Sequence, residues 1–309
     1  MPGQLTLLDS PSLWYRAFYA VPDTVTAPDG TPVNAVRGFL DLLSRVVRET
    51  RPARLVATLD LDWRPAFRVA AVPTYKLHRT QAGGAETEPP ALAPQVAVLL
   101  EVLAALGVPA VGAEGHEADD VLGTLATREP GAVDVVSGDR DMLQLVRDDG
   151  PVRVLYAAEK MRPYGPSEVR AKYGIPGTAY AEYAVLRGDP SDGLPGVKGV
   201  GDKTAAALVE RFGTVEGVLA ALDAGVQDGF PAGARSRLEA ARDYLAVAPA
   251  VTRVVRDLPI PDLPDALPRT PADPERLLAL SDRWGLTGPL ERFLQALEVA
   301  RTGAQATEL

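Results

Sequence analysis

Between Glu114 and Gly123 the chain reads EGHEADDVLG, which places Glu117, Asp119 and Asp120 within four residues. Like charges this close repel one another, and such side chains are rarely buried without partners. Further acids end apolar runs elsewhere: Asp9 closes LTLLD, Asp60 closes RLVATLD, and Asp139 closes VDVVSGD with Asp141 two residues on. Asp189 and Asp192 follow in GDPSD. Taken singly, an Asp after a strand forms turns, and an acidic first helical turn complements the helix dipole. Capping asks for no convergence of these acids, whereas clustered, partly buried carboxylates require a compensating cation. The chain has no cysteine and two histidines. The donors are therefore oxygens, which favours Mg²⁺ or Mn²⁺. His116, next to Glu117, is expected to pack rather than to act as a base. A second group of chemical interest is GVKGVGDKTA, from Gly196 to Ala205. Glycines there let the backbone approach a ligand closely, and free N–H groups at the start of a helix suit a phosphate. Lys203 and Thr204 add an ammonium and a hydroxyl.

The elements that must position these residues follow from periodicity. LTLLD (5–9), RLVATLD (54–60), GVPAVGA (107–113), VDVVSGD (133–139) and PVRVLYA (151–157) read as buried strands. AVRGFLDLLSRVVRET and PQVAVLLEVLAALG between them carry the helical period. Strand–helix alternation of this kind predicts an α/β fold with a mostly parallel sheet covered by helices. Ligands gather at the carboxyl ends of such strands, so acids far apart in sequence are expected on one sheet edge. In EADDVLGTLA, Ala118, Val121, Leu122 and Leu125 form one helical face, flanked by Asp119 and Asp120, with Glu117 at the helix start. From about Thr178 the pattern is helical only: AYAEYAVLRGD, GDKTAAALVERFG, TVEGVLAALDAG and ARSRLEAARDYLAVA, with Gly-rich joints. Residues 259–274 read as a surface connection and 274–298 as one or two closing helices. Residues 78–94 read as a mobile loop, and the last ten residues have little to bury.

With 309 residues, 46% hydrophobic and 24% charged, the composition is that of a globular chain with a proper core. Absence of cysteine excludes a disulfide scaffold and a thiolate metal site. No leader with a basic start and an apolar core is expected, since Asp9 interrupts the first apolar run, and no stretch suits a membrane span. A soluble cytoplasmic protein is the expectation. The net charge of −9 argues mildly against nucleic-acid binding, unless the acids are gathered at a metal site and the bases lie elsewhere.

The motifs GHEADDVLGTLA, SGDRDMLQLV, YKLHR and GDPSDGLPGVKGVGDKTA together resemble those of the bacterial flap endonucleases. That family comprises the 5′-nuclease domain of DNA polymerase I and its stand-alone relatives. The resemblance runs from Asp9 to Thr204. It implies a PIN-like catalytic domain over 1–177 with an arch loop near 75–95. A helix–three-turn–helix DNA-binding subdomain would follow over 178–262, with C-terminal helices and a tail over 263–309. The implied activity is that of a 5′–3′ exonuclease or flap endonuclease, cutting DNA near a 5′ single-strand/duplex junction by a two-metal mechanism. Metal ligands by this resemblance are Asp9, Asp60, Glu117, Asp119, Asp120, Asp139, Asp141, Asp189 and Asp192, with Asp120 acting through water. Arg16 and Lys76 would face the cleaved phosphate. Tyr75 and Arg79 would join Lys76 at the foot of the arch, with Tyr75 able to stack on an unpaired base. In the hairpin, K⁺ would be held by the carbonyls of Leu186, Arg187, Pro195, Val197 and Val200. Gly196, Lys198, Gly199, Gly201, Lys203 and Thr204 would lie against duplex phosphates.

The chain departs from the family pattern in having LLDSPS at the first motif, Asp62 as a rival to Asp60, and Gly193 after the second hairpin Asp. The expected partners are 5′-flap or branched DNA, nicked duplex, and replication or repair proteins, with the chain acting as a monomer away from membranes. A PIN-type ribonuclease or a non-catalytic branched-DNA-binding protein are the alternatives. The ribonuclease has no need of GVKGVG, and the binding module has no need of every acid.

Overall fold

The computed structural model describes residues 3–81, 87–147 and 149–305. Six strands form one sheet: β1 (Leu5–Asp9), β2 (Arg54–Leu59), β3 (Ala110–Gly112), β4 (Val133–Ser137), β5 (Val152–Tyr156) and β6 (Arg162–Tyr164). Their order is β3-β2-β1-β4-β5-β6, and every neighbouring pair is parallel except β5–β6. The α/β reading and the parallel sheet therefore hold. The antiparallel β6 was not expected: RPY is three residues long with a central proline, which suits only an edge strand.

Helices α1 (Ser10–Ala20), α2 (Asn34–Thr50), α3 (Ala66–Ala71), α4 (Ala93–Leu106) and α5 (Ala118–Arg128) connect and cover the first strands. Then come α6 (Pro166–Tyr173), α7 (Tyr180–Arg187), α8 (Asp202–Phe212), α9 (Val215–Asp223), α10 (Ala234–Ala240), α11 (Arg242–Val247) and α12 (Pro249–Thr252). The chain closes with α13 (Pro274–Trp284) and α14 (Thr287–Gln305). The helix expected over 234–248 divides at Ala241, whose N–H turns back to Leu238 O at 3.0 Å, three residues away.

Alternation along the strands sorts the core into two layers. Leu5, Leu7, Val56, Val133, Val135, Val152 and Val154 pack with α5, α7, α8 and α9 on one face. Leu8, Leu55, Ala57, Val136 and Leu155 pack with α1, α2, α4, α13 and α14 on the other. The closing helices thus seal the layer on which the chain begins. The connection before them is pinned beside β2: Leu55 N donates to Asp265 O at 2.8 Å and Leu267 N to Ala53 O at 2.9 Å. Arg54 binds both carboxylate oxygens of Asp265. Among the described residues no helix is long and apolar enough to cross a membrane. Of the segment expected to be a mobile loop, residues 82–86 lie outside the described residues, as does the end of the tail from 306.

Candidate active site

Parallel register places the acids. Asp9 pairs with Thr58 across β1–β2, and Leu8 pairs with Val136 across β1–β4. Asp60 and Asp139 each lie just past their strand, so the carboxyl ends of three adjacent strands carry acids side by side. The aspartates also do local work. Asp9 Oδ1 accepts from Ser12 N at 3.2 Å and caps α1, while Oδ2 accepts from Ser137 Oγ. Asp60 Oδ1 accepts Ala118 N at 2.7 Å and so fixes the first turn of α5 to the end of β2. Asp139 Oδ1 accepts Asp141 N at 2.8 Å. Each capping role holds the residue at the edge, so turn formation and convergence coexist here.

Asp9, Asp60, Glu117, Asp119 and Asp139 line one cavity of about 740 Å³ together with Lys76, Arg79, Arg140, Tyr15, Trp63 and His78. Asp141, Asp189 and Asp192 form a group behind Asp139. In that group burial raises the Asp141 carboxyl well above the usual range, with Asp139, Asp192 and Asp189 adding repulsion. Burial likewise pushes Asp9 up to about 7, with Ser137 opposing and Asp60 and Asp139 reinforcing. Asp119 is raised by burial and by the charges of Asp9, Asp139 and Glu117. Asp192 rises to about 6, through burial held back by Lys76 and Arg79. Asp139 acts on all four, and is therefore the residue common to both acid groups.

These residues fit a divalent cation. The donors are hard oxygens, the acids repel one another, and Asp141 Oδ1 is buried with no hydrogen-bond partner among the described residues. Among the described residues no three acidic or imidazole side chains already stand in closed ligating geometry. The mutually repelling carboxylates instead surround an open volume.

Two of the expected site residues are engaged within the protein. Asp120 is fully buried and its oxygens are taken: Oδ1 by Arg68 Nη2 at 2.6 Å and Val255 N at 2.8 Å, Oδ2 by Arg68 Nη1 at 2.9 Å and Glu117 N at 3.4 Å. A carboxylate offers about four lone-pair sites. All are used, and Asp120 does not line the cavity. Tyr75 is 2% exposed, and its hydroxyl donates to Glu117 Oε2 at 2.7 Å. Its ring is closed off from any base and packs with Val72, Leu194 and Val251.

The two rivals Asp60 and Asp62 stand in different surroundings. Asp62 Oδ1 accepts Arg64 N at 3.1 Å in a local turn, whereas Asp60 lines the cavity. Lys76 lines it too, bonded through Nζ to Glu117 Oε1. Burial works against its charge, but Glu117, Tyr75, Asp192 and Asp119 together more than compensate and hold the ammonium well above its ordinary range. Arg79 Nη2 donates to Ser191 O at 2.6 Å and to Asp192 Oδ1 at 3.2 Å. Arg16 is exposed on α1, one residue from the cavity-lining Tyr15. His116 packs against Phe67 with ring centroids 5.7 Å apart.

At the hairpin, Lys198, Gly199, Gly201 and Lys203 are exposed, with Gly196 and Thr204 half-buried. Gly201 precedes α8 with no side-chain cap. The backbone of 186–188 lies directly on that of 195–197, and a Cβ on Gly196 would stand 2.5 Å from Arg187 O. Leu186 O already accepts Val197 N at 3.0 Å, and Val197 O accepts Val200 N at 2.9 Å. Arg237, which the motifs did not single out, donates to Gly199 O at 2.8 Å. Arg68 was missed as well. Its one signal in the sequence is a lone charge in the apolar run AFRVAAV. A second groove of about 890 Å³, lined by Lys172, Tyr173, Arg187 and Lys203, shares Arg140 and Tyr156 with the acid cavity.

A family model described as 5′-3′ exonuclease, N-terminal resolvase-like domain, matches residues 4–174. Its companion, 5′-3′ exonuclease, C-terminal SAM fold, matches residues 175–275. A 5′-3′ exonuclease of Streptomyces coelicolor is 52% identical over 299 residues, covering 94% of this chain and 99% of that protein. DNA polymerase I of Mycobacterium bovis is 38% identical over 289 residues, which is 90% of this chain but 30% of the polymerase. In fold, the chain resembles the bacteriophage T5 D15 flap endonuclease in complex with DNA and metal ions. The TM-score is 0.59 at 17% identity, over 96% of this chain and 99% of that one.

Proposed function

Because the chain belongs to the 5′–3′ exonuclease family, we propose that it is a structure-specific 5′ nuclease, hydrolysing DNA phosphodiesters where a 5′ single strand meets duplex. The observation that carries this reading is the continuity of two surfaces. Arg140 and Tyr156 belong both to the acid cavity and to the groove that ends on Lys203, at the start of α8. A duplex backbone gripped by the hairpin is thereby led to the carboxylates along a wall of mixed charge, where Arg140, Lys172, Arg187 and three tyrosines stand beside Glu159, Asp202 and Glu210. Such contacts read shape and phosphate rather than base sequence.

In this proposal Asp9, Asp60, Glu117, Asp119 and Asp139 hold Mg²⁺ or Mn²⁺, with Asp141, Asp189 and Asp192 serving a second ion beside Asp139. Ions bound there supply the charge that activates water and stabilises an in-line displacement at phosphorus. Lys76 and Arg79, on the cavity wall, offset charge on the phosphate being cut, and Arg16 meets it from α1. Lys198, Lys203 and the open N–H groups of α8 hold duplex phosphates, joined by Arg237 beside Gly199. A K⁺ among the carbonyls of Leu186, Arg187, Pro195, Val197 and Val200 is part of the same reading. Its support is the close backbone approach that Gly188 and Gly196 permit, with one lone pair still free on Leu186 O and on Val197 O. The chain would act as a monomer in the cytoplasm, recruited by replication or repair proteins to remove primers and process repair intermediates.

The test is a 5′-labelled flap duplex incubated with Mg²⁺, with EDTA as control. Release of a labelled 5′ fragment with Mg²⁺ and none in EDTA supports the proposal; an intact flap under both conditions overturns it.

A further inference from the structure

Arg68 is among the largest fully buried side chains of the protein, at 2% exposure. Burying a guanidinium is costly, and an apolar side chain of similar size would commonly stabilise a fold at least as well. The contacts of Arg68 show what that burial achieves. Nη1 donates to Glu117 Oε2, both terminal nitrogens clasp Asp120, and Nε donates to Val251 O at 3.0 Å. One planar group thus joins α3 at the arch foot, α5 behind the acid cavity, and the end of the helical segment at α12. Asp120 completes the joint through Val255 N at 2.8 Å.

The consequence falls on Glu117, which is 2% exposed yet lines the cavity. Its two oxygens take donors from Arg68 and Tyr75 on Oε2 and from Lys76 on Oε1. We infer that Arg68, itself braced by Asp120, is a positioning residue that acts through Glu117: it fixes that carboxylate in the one orientation from which it can serve a cation. The inference rests on the reading of Glu117 as a metal-holding acid. A lysine in place of Arg68 keeps the charge but loses the fork that reaches Glu117, Asp120 and Val251 together.

The experiment is a double-mutant cycle between Arg68→Lys and Glu117→Gln. It is read as Mn²⁺ affinity by titration calorimetry without DNA, and as kcat and KM on the labelled flap. Partners that orient a metal ligand typically control 10–100-fold in metal affinity or activity, and Arg68→Lys is expected to lose roughly that much in both Mn²⁺ affinity and kcat. KM for DNA should stay unchanged. In the Glu117→Gln background the same change should cost nothing further, because its route of action is already gone. A folded Arg68→Lys protein with wild-type Mn²⁺ affinity, or losses that multiply in the double variant, would overturn the inference. Should Arg68→Lys fail to give a native near-ultraviolet spectrum, Asp120→Asn releases the same brace, and the same non-additivity with Glu117→Gln decides the matter. If Glu117→Gln alone leaves Mn²⁺ affinity and kcat untouched, the reading of the site itself fails. That outcome is distinct from a failure of Arg68 alone.

Discussion

Replacing Asp9 with asparagine should stabilise the metal-free protein at alkaline pH while removing its activity. Burial, with Asp60 and Asp139 close by, lifts the Asp9 carboxyl from 3.8 to about 7. The folded state therefore holds this proton more tightly than the unfolded one. The associated stability is present in full below the ordinary Asp value and is lost as pH rises toward 7. Between those limits the loss amounts to about 4 kcal/mol at 1.36 kcal/mol per pH unit. Asparagine cannot ionise and escapes this loss. It keeps an acceptor for Ser12 N but must reverse its hydrogen bond with Ser137, an exchange costing about 1 kcal/mol. The net gain at pH 8 is then about 3 kcal/mol, which for a chain of this length corresponds to a rise in Tm of roughly 5 °C. At pH 5 the ionisation term shrinks to roughly 1–2 kcal/mol, close to the hydrogen-bond cost, and the gain nearly vanishes. Differential scanning calorimetry in EDTA at both pH values measures it. An equal shift at the two pH values, or a fall in Tm at pH 8, would refute the electrostatic account of the acid cluster.

Two further predictions concern the path of the DNA and the foot of the arch. Lys203→Ala should weaken flap binding and make its salt dependence shallower by about one unit in the log–log slope, with the kinetic effect in KM rather than kcat; fluorescence anisotropy across a salt series measures the slope. Gly193→Ala should destabilise the join between the Asp189–Asp192 turn and the arch foot. Gly193 has a φ of +72°, and an added Cβ would lie 2.2 Å from Thr74 O, whose own residue donates through Oγ1 to Gly193 O at 2.9 Å. Strain of this kind is worth about 1–3 kcal/mol, visible as a lower urea midpoint.

The strand-ending acids were legible because two local signals coincide in them. An apolar run that stops at Asp marks both the end of a buried strand and the edge where a parallel sheet presents its ligands. LTLLD therefore located β1 to the residue, and with it Asp9. Asp120 was not legible in this way. Its spacing beside Asp119 is that of any acidic helix start, while the groups that consume its oxygens, Arg68 and Val255, lie 52 and 135 residues away. Tyr75 shows the same limit. YKLHR identifies a chemical neighbourhood, but only tertiary packing turns one side chain of the motif inward and leaves its neighbours on the cavity wall. The steric reason for Gly193 lies in the close approach of Thr74, more than a hundred residues away in sequence. The role of Arg68 exists only where three distant segments meet.

Asp139 offers the most direct test of the central claim that the acid edge performs chemistry on DNA held by other surfaces. It belongs to both acid groups, and its backbone N donates to Ser137 Oγ at 2.8 Å while its Oδ1 accepts Asp141 N. Asparagine preserves its size and that acceptor and removes only its charge. The decisive measurement is single-turnover cleavage of a labelled 5′ flap by Asp139→Asn with Mg²⁺, alongside the Kd for the same DNA. The account predicts that cleavage is lost and Kd is unchanged. Cleavage at the wild-type rate, or loss of affinity in equal measure with cleavage, would contradict it.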